Sequence, residues 1–190
     1  PALKAAHVAL VVKGASDISR ESADVVLLQK GLHEIISGIE EGRKIFANTI
    51  KYIKSTLTSN FGNFYAIAIV SLLIPYLPML PIQILLVNLL SDFPLIAVAT
   101  DTVGTEELKK PKKYDVKEIA LIATILGLVS TFFDFAFFGF FRGHGPETLQ
   151  TMWFIESILT ELALIYSIRT RKPFWKGTRP STTIILLSIV

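Results

Sequence analysis

The sequence predicts a mainly α-helical protein: a polytopic helical membrane domain with a long stalk helix, preceded by a small α/β segment. Hydrophobic residues make up 51% of the 190 residues, and charged residues make up 18%. The mean hydropathy is +0.53. The apolar residues gather in runs close to the ~18–20 residues that span a bilayer core, and basic residues gather between those runs. This balance is not that of a soluble domain.

The first 30 residues alternate between strand and helix patterns. The apolar segments VALVV (8–12) and ADVVLL (23–28) predict buried strands, and SDISRESA between them predicts a short helix capped by Ser16 or Asp17. Two strands cannot bury a sheet by themselves. We therefore expect residues 1–30 to be the edge of a larger cytoplasmic domain.

A stretch without proline follows, from residue 32 to residue 74. Its first half is amphipathic, and its charges stop after Lys54. We expect one continuous helix, with a stalk at 31–58 that runs into a first membrane span at about 58–75. Such a helix would reach roughly 60 Å at ~1.5 Å per residue. The alternative is a pair of helices kinked at Gly62.

The remainder of the chain, 59–190, predicts a transmembrane transport domain. Pro75, Pro78 and Pro81 mark an outside turn after the first span. Pro94 lies inside the second span, where it predicts an unwound stretch near residues 90–93 with carbonyl groups open to a cavity. The later spans are predicted at about 82–99, 119–141 and 152–168, with a truncated fifth span from 181.

The distribution of basic residues predicts the orientation of the spans. The two loops on one side hold only Arg142, whereas the two loops on the other side are strongly basic. The positive-inside rule places the basic loops, the stalk and residues 1–30 in the cytoplasm. The net charge of +3 then requires no nucleic acid as a partner, and the absence of cysteine excludes disulfides and thiolate metal sites. The basic residues of these loops are Lys109, Lys110, Lys112, Lys113, Lys117, Arg169, Arg171, Lys172, Lys176 and Arg179.

Polar side chains stand inside the first two predicted spans. Asn60 and Asn63 are spaced i,i+3, and Asn88 and Asp92, with Ser91 beside them, are spaced i,i+4, so each pair shares one helix face. An ionisable group at membrane depth is costly and by default functional. One carboxylate with several amide and hydroxyl oxygens suits a hard cation, and it suits partly hydrated Mg²⁺ better than Ca²⁺. The sequence thus predicts a cation site whose metal ligands include Asn63, Asn88 and Asp92. The alternative is that the asparagines join helices by hydrogen bonds and that Asp92 carries a proton.

Three further acids lie in the third and fourth predicted spans. Asp134 and Glu156 lie at matched depth from the outer side, which allows a shared hydrogen-bond network with one of them protonated. Glu161 lies deeper, close to the level of Asp92, and could add a carboxylate to the cation site. A structural network is the better interpretation for Asp134. For Glu156 and Glu161, an ion or proton site and a structural network are equally well supported.

The order of several motifs resembles the C-terminal part of P-type cation-transporting ATPases. The motifs are PALKAA, SDISRESADVVLL, EEGRKIFANTIKYI, TSNFGN and VNLLSD, and they cover nearly the whole chain. The resemblance implies an ion-translocating ATP hydrolase in the plasma membrane, with residues 1–30 at the edge of a cytoplasmic HAD-like phosphorylation domain. It also implies that an N-terminal portion of the same pump supplies the phosphorylated aspartate and the ATP site with Mg²⁺ as cofactor, so that this chain alone holds no catalytic residue.

The resemblance extends to the transported cation. SNFGN, YLPML and KKPKKYD look most like the magnesium-translocating branch, and calcium pumps usually carry a glutamate where Asn63 stands. We therefore expect Mg²⁺ to be transported across the lipid bilayer. The alternatives are an H⁺ or Ca²⁺ pump of the same family and, from another class, a non-catalytic membrane subunit or channel. The residues that match the family's transport-site ligands by motif are Asn60, Asn63, Asn88, Ser91 and Asp92.

Overall fold

The computed structural model describes residues 1–29, 31–170, 172–173 and 175–189. Lys30 at the end of the predicted α/β segment, Arg171 in the second basic loop and Val190 in the truncated span lie outside the described residues. The predicted mainly α-helical fold is confirmed. The chain divides into two compact units, Pro1–Arg43 and Lys44–Val190.

The first unit contains the α/β segment. It comprises α1 (Ala2–Ala5), β1 (Leu10–Val12), α2 (Asp17–Glu21) and β2 (Val25–Leu27). The two strands are parallel, with Leu10 opposite Val25. The predicted helix cap is confirmed, because the Ser16 side chain accepts a hydrogen bond from the backbone N–H of Ser19. The predicted strands and the helix between them are therefore present, but Leu10, Val25 and Val26 are exposed within this chain instead of buried.

The long helix α3 extends from Leu32 to Ser71. It is a single α-helix that passes through Gly62 without interruption, as the prediction of one continuous helix required. The helix ends before the prolines that were expected to mark the outside turn. The next helix, α4 (Pro81–Ala97), begins with Pro81 at its first turn, where a proline is well tolerated because its missing N–H would be unpaired anyway.

Among the described residues, three helices are long and apolar enough to cross a membrane. They are α4 with the 3-10 turn Val98–Thr100 that extends it, α6 (Val116–Phe141) and α7 (Pro146–Ile168). The end of α3 is not among them, because serine, threonine and asparagine lower its hydropathy; its role as a first span stays a prediction. The two remaining helices are α5 (Thr105–Leu108) and α8 (Thr182–Ile189).

Pro94 does not unwind the second span. The structure keeps α4 helical from Pro81 to Ala97 with Pro94 inside it and buried, so the predicted irregular stretch at residues 90–93 is wrong. A proline removes one backbone N–H and frees one carbonyl a turn earlier, and a membrane helix tolerates this loss where neighbouring groups compensate. The helix loosens only after Ala97, where the 3-10 turn begins.

The membrane-length helices pack around α7. Helices α4 and α6 both contact α7, and α4 also contacts α8. Two clusters of buried apolar side chains lie where the helices pack together. One contains Ala66, Val70, Met79, Val87, Phe138, Leu149 and Trp153. The other contains Leu95, Ala97, Val98, Ile165 and Ile184.

Two glycines bring α3 and α6 into backbone contact. A Cβ atom added at Gly127 would lie 3.1 Å from the Cβ of Phe61 and 3.2 Å from the backbone nitrogen of Gly62. The Thr131 hydroxyl donates hydrogen bonds to the carbonyl oxygens of Gly62, at 3.3 Å, and Gly127, at 2.8 Å. Small residues at such a crossing allow helices to approach closely in lipid. Gly62 therefore serves helix packing, and this packing positions the residues of α3 that follow it.

We predict that Gly127→Ala lowers the stability of the detergent-solubilised protein by about 1–3 kcal/mol, because the new methyl group overpacks a backbone contact. The measurement is thermal unfolding. Gly139→Ala on the same helix is the matched control, since a Cβ there meets nothing within 4 Å. Equal melting temperatures for the two variants would contradict the close contact of α3 with α6.

A buried ion pair joins the helix ends on the side of the basic loops. Arg169, at the end of α7, donates from Nε to Asp101 Oδ2 and from Nη2 to Asp101 Oδ1, each at 2.8 Å. Both side chains are almost fully buried. Arg169 also donates to the backbone oxygens of Thr178 and Arg179, which lead to α8. Such a two-point charge-assisted pair defines the orientation of both partners.

Asp101 also contacts α3 and the start of α8. Lys51 of α3 lies with Nζ 3.5 Å from Asp101 Oδ2, and Asn48 donates to the backbone oxygen of Asp101 at 2.9 Å. The backbone N–H of Ser181, at the start of α8, donates to Asp101 Oδ1 at 3.1 Å. Burial lowers the pKa of Lys51 below its ordinary value, and the Asp101 carboxylate opposes that shift. Asp101 thus joins α3, α4, α7 and α8.

We predict that Asp101→Asn destabilises the protein by about 3–5 kcal/mol, because it leaves the buried charge of Arg169 without its partner. Glu106→Gln is the control, since Glu106 pairs with Lys172 at 4.0 Å on the exposed surface and such pairs contribute less than about 1 kcal/mol. Thermal unfolding in detergent compares the two. A loss no larger than that of the control would show that the ion pair does not hold the helix ends together.

Candidate cation site

Glu161 lies at the centre of the polar groups that face each other inside the helix bundle. It is on α7, and only 6% of its surface is exposed. Asn63 of α3 donates from its side-chain amide to Glu161 Oε1 at 2.8 Å. A buried carboxylate in an apolar bundle requires such donors, because the surroundings replace the water that would otherwise solvate its charge. This contact joins α3 directly to α7.

Two hydroxyl groups and a second carboxylate surround Glu161. The side chains of Ser59 on α3 and Ser91 on α4 interact with the Glu161 carboxylate, and Asp92 is near enough to act on it electrostatically. Ser91 is buried, and its hydroxyl also donates to the backbone oxygen of Asn88 at 3.3 Å. Three helices therefore contribute oxygen-bearing side chains to one place.

The structure brings together only part of the predicted cation site. Asn63 and Ser91 contact Glu161, and Asp92 acts on it only electrostatically. Asn60, Asn88 and the side chain of Asp92 are exposed at the surface of this chain. Asn60 and Asn88 therefore stay predicted ligands, whereas Asn63 and Ser91 have contacts that place them beside a buried carboxylate.

Sequence reasoning did not include Ser59 in the site. The residue stands one helical turn before Asn63, at the i,i+4 spacing that puts both side chains on one face of α3. This spacing could have identified Ser59 as a site residue from the sequence. Glu161 was considered only as a possible additional residue, yet it is the group on which the others converge.

Asp134 and Glu156 form a separate buried contact between α6 and α7. Their carboxyl groups lie in side-chain hydrogen-bonding contact with each other, as the matched depth suggested. The indole N–H of Trp153 donates to Asp134 Oδ1 at 2.8 Å. Glu161 acts on this pair electrostatically, but its hydrogen-bond partners are different.

The group around Glu161 can offer a cation hard oxygen ligands. The Asn63 side chain donates a hydrogen bond through its amide nitrogen and still has an amide oxygen that can bind a cation. The serines carry hydroxyl groups, and Glu161 and Asp92 carry carboxylates. Within the described part of the chain, no three histidine, cysteine, aspartate or glutamate side chains gather in a way that could hold a metal ion. A cation here would therefore depend on amide and hydroxyl oxygens as well as on the two carboxylates, which suits a hard, partly hydrated ion.

Comparison with known proteins identifies the family. Residues 76–190 match the family described as "Cation transporting ATPase, C-terminus". The chain belongs to this family. The matched part contains α4, α6, α7 and α8, and so it includes Ser91, Asp92 and Glu161. The resemblance to cation-transporting ATPases that the motifs indicated is confirmed, and with three membrane-length helices this member of the family is a multi-pass membrane protein.

Several transport ATPases are similar to this chain. It is 38% identical over 198 aligned residues to "Magnesium-transporting ATPase, P-type 1" of Escherichia coli strain K12, covering 100% of this chain and 22% of that protein. It is 39% identical over 182 residues to a protein of the same name from Salmonella typhimurium strain LT2, covering 92% of this chain and 20% of that protein. It is 29% identical over 221 residues to "Calcium-transporting ATPase" of Bacillus subtilis, covering 100% of this chain and 24% of that protein. The chain thus spans about a fifth to a quarter of the length of these relatives.

Proposed function

We propose that the chain is the ion-binding and coupling part of an ATP-driven P-type pump that transports Mg²⁺. The observation that carries this proposal is the convergence of α3, α4 and α7 on the buried carboxylate of Glu161. The 38% identity to a magnesium-transporting ATPase over the full length of the chain supports the choice of cargo. The proposed ligand set is Asn60, Asn63, Asn88, Ser91, Asp92 and Glu161, with Ser59 beside them.

The charge and chemistry of this set favour a divalent cation. Glu161 and Asp92 together supply two carboxyl groups, which when ionised match the charge of one Mg²⁺, while Asn63 and the serines supply neutral oxygens or hold its waters. Mg²⁺ gives up its water reluctantly and is usually bound through one or two carboxylates, whereas Ca²⁺ recruits six to eight oxygens. An asparagine at position 63 keeps the number of carboxylates at two and supports Mg²⁺ over Ca²⁺.

Helix α3 is the proposed coupling element of the pump. It is continuous from Leu32 to Ser71, and Ser59 and Asn63 lie in its C-terminal third. Phosphorylation in a cytoplasmic domain would tilt this helix and thereby move Asn63 relative to Glu161. We propose that residues 1–30 belong to the edge of a HAD-like domain, because Val25 and Val26 of the second strand are 43% and 40% exposed and offer an apolar surface for more of that domain.

We also propose where the catalytic groups of the complete pump lie and how the pump is oriented in the membrane. The phosphorylated aspartate and the ATP site with its Mg²⁺ cofactor would be supplied by the same polypeptide, outside residues 1–190. The basic loops, residues 1–30 and the stalk at 31–58 would face the cytoplasm, and the membrane would be the plasma membrane. The positive-inside rule supports this orientation.

The first test measures which cation stimulates ATP hydrolysis by the complete pump. We expect stimulation by Mg²⁺ in excess of ATP, and we expect Glu161→Gln and Asp92→Asn each to weaken the apparent affinity for that stimulation by about 10-fold or more, because each removes one of two ligand charges. A tenfold change corresponds to about 1.4 kcal/mol. Glu147→Gln, an exposed position on α7, is the matched control and should behave like the wild type.

Other outcomes of this test point to the alternatives. Stimulation by Ca²⁺ rather than Mg²⁺ would identify a calcium pump, the cargo named for the Bacillus subtilis relative. Stimulation by acid alone would identify a proton pump. Cation flux without hydrolysis of ATP would identify a passive channel or subunit and overturn the pump itself.

A second test concerns coupling through α3. Inserting glycines between Lys44 and Ala47 should leave ATP hydrolysis in place and abolish Mg²⁺ transport into or out of proteoliposomes, because flexible backbone cannot transmit a tilt. The same insertion in the segment between α7 and α8, at Lys176 and Gly177, serves as the control for a general effect of insertion. Full coupling in the α3 variant would refute the role of α3.

A further inference from the structure

We propose that Asp134 and Glu156 form a proton-binding site, in which the two carboxyl groups share one proton between α6 and α7. This site is distinct from the cation site at Glu161. Because the inference concerns the contact between two buried acids, it does not depend on which cation the pump transports.

Both acids are removed from water and lie in apolar surroundings. Asp134 is 1% exposed and Glu156 is 3% exposed. Phe138, Leu149 and Trp153 of the surrounding cluster are also buried, and the rings of Phe138 and Trp153 lie with their centroids 6.4 Å apart. Two adjacent negative charges in such a place would repel each other with little screening, so they cannot both be ionised.

The hydrogen-bond partners of Asp134 and Glu156 indicate that one of the two carboxyl groups carries a proton. The two side chains are in hydrogen-bonding contact, yet Oδ2 of Asp134 and both carboxyl oxygens of Glu156 are buried without a donor. Ionised carboxylate oxygens are acceptors only, and two acceptors do not bond to each other. A proton on one of them turns this contact into an O–H···O⁻ hydrogen bond, which is among the strong ones.

Trp153 indicates which of the two acids holds the proton. Its indole N–H donates to Asp134 Oδ1 at 2.8 Å. Indole nitrogen is a donor only, so it stabilises a charged Asp134 more than a protonated one. Glu156 has no indole or amide donor at its carboxyl oxygens, and the nearby Thr160 hydroxyl donates to the backbone oxygens of Glu156 and Ser157. The structure therefore assigns the proton to Glu156, whose O–H donates to Asp134 Oδ2.

A proton fits this pair better than a metal ion does. Mg²⁺ and Ca²⁺ require six or more oxygen ligands, whereas the pair offers two carboxyl groups and has an N–H donor directed at one of them. The other ionisable group that acts on both carboxyls, among the residues that the structure describes, is Glu161, which has its own partners. The shared proton would hold α6 against α7, the helix that also carries Glu161.

The test is infrared spectroscopy of the purified complete pump at neutral pH. A protonated carboxylic acid gives a C=O stretching band that is distinct from the carboxylate bands and shifts in D₂O. We expect this band to be lost in Glu156→Gln, because its amide donates to Asp134 in place of the proton. The exposed Glu147→Gln on the same helix should keep the band. If the single variant does not fold, Asp134→Asn combined with Glu156→Gln must lose the band as well.

Two results would overturn the proposal. One is an unchanged band in Glu156→Gln, which would show that this acid carries no proton. The other is loss of the band when Mg²⁺ is added to the wild type, which would make the pair part of the cation site. Failure of Mg²⁺ to stimulate ATP hydrolysis would instead overturn the proposed function and leave the band in place, so the two inferences fail separately.

Discussion

The carboxylate of Asp101 is the interaction on which the arrangement of the helices depends. Arg169 donates to both of its oxygens, and Lys51 and the backbone of Ser181 approach the same group. Lipid is as apolar as the side chains of membrane helices, so hydrophobic burial gives little preference for one helix arrangement over another. Directional polar contacts supply that preference. In this chain, one aspartate joins the middle of α3 to the ends of α4 and α7 and to the start of α8.

The need for directional contacts between helices also explains how α3, α6 and α7 meet at the centre of the bundle. The close contact of Gly62 with Gly127 brings α3 against α6, and the hydrogen bond between Asn63 and Glu161 joins α3 to α7. Once α3 is held at both places, its small polar residues face a buried carboxylate instead of lipid. A site built in this way responds to movement of α3, because the two sides of each contact belong to different helices.

Helix α7 separates two acidic groups by its own geometry. Residues five apart on an α-helix point in directions about 140° apart, because each residue turns the helix by about 100°. Glu156 therefore faces Asp134 on α6, while Glu161 faces Asn63 on α3. One helix can thus carry a proton-linked contact and a cation ligand without merging them, although each carboxylate still lies within electrostatic reach of the other.

The sequence by itself determined the class of protein, its helices and its family, because apolar runs, basic loops and local motifs depend on neighbours along the chain. It also placed Asn63 and Glu161 at similar levels of their helices, since rise per residue is constant in a helix, and the two side chains are in contact. Only the tertiary structure decided that Glu161 is the common partner, that Ser59 joins it, that α4 stays helical through Pro94 and that Asp101 holds the helix ends together. These features depend on how each helix is rotated against its neighbours, and that rotation follows from contacts between residues far apart in the sequence.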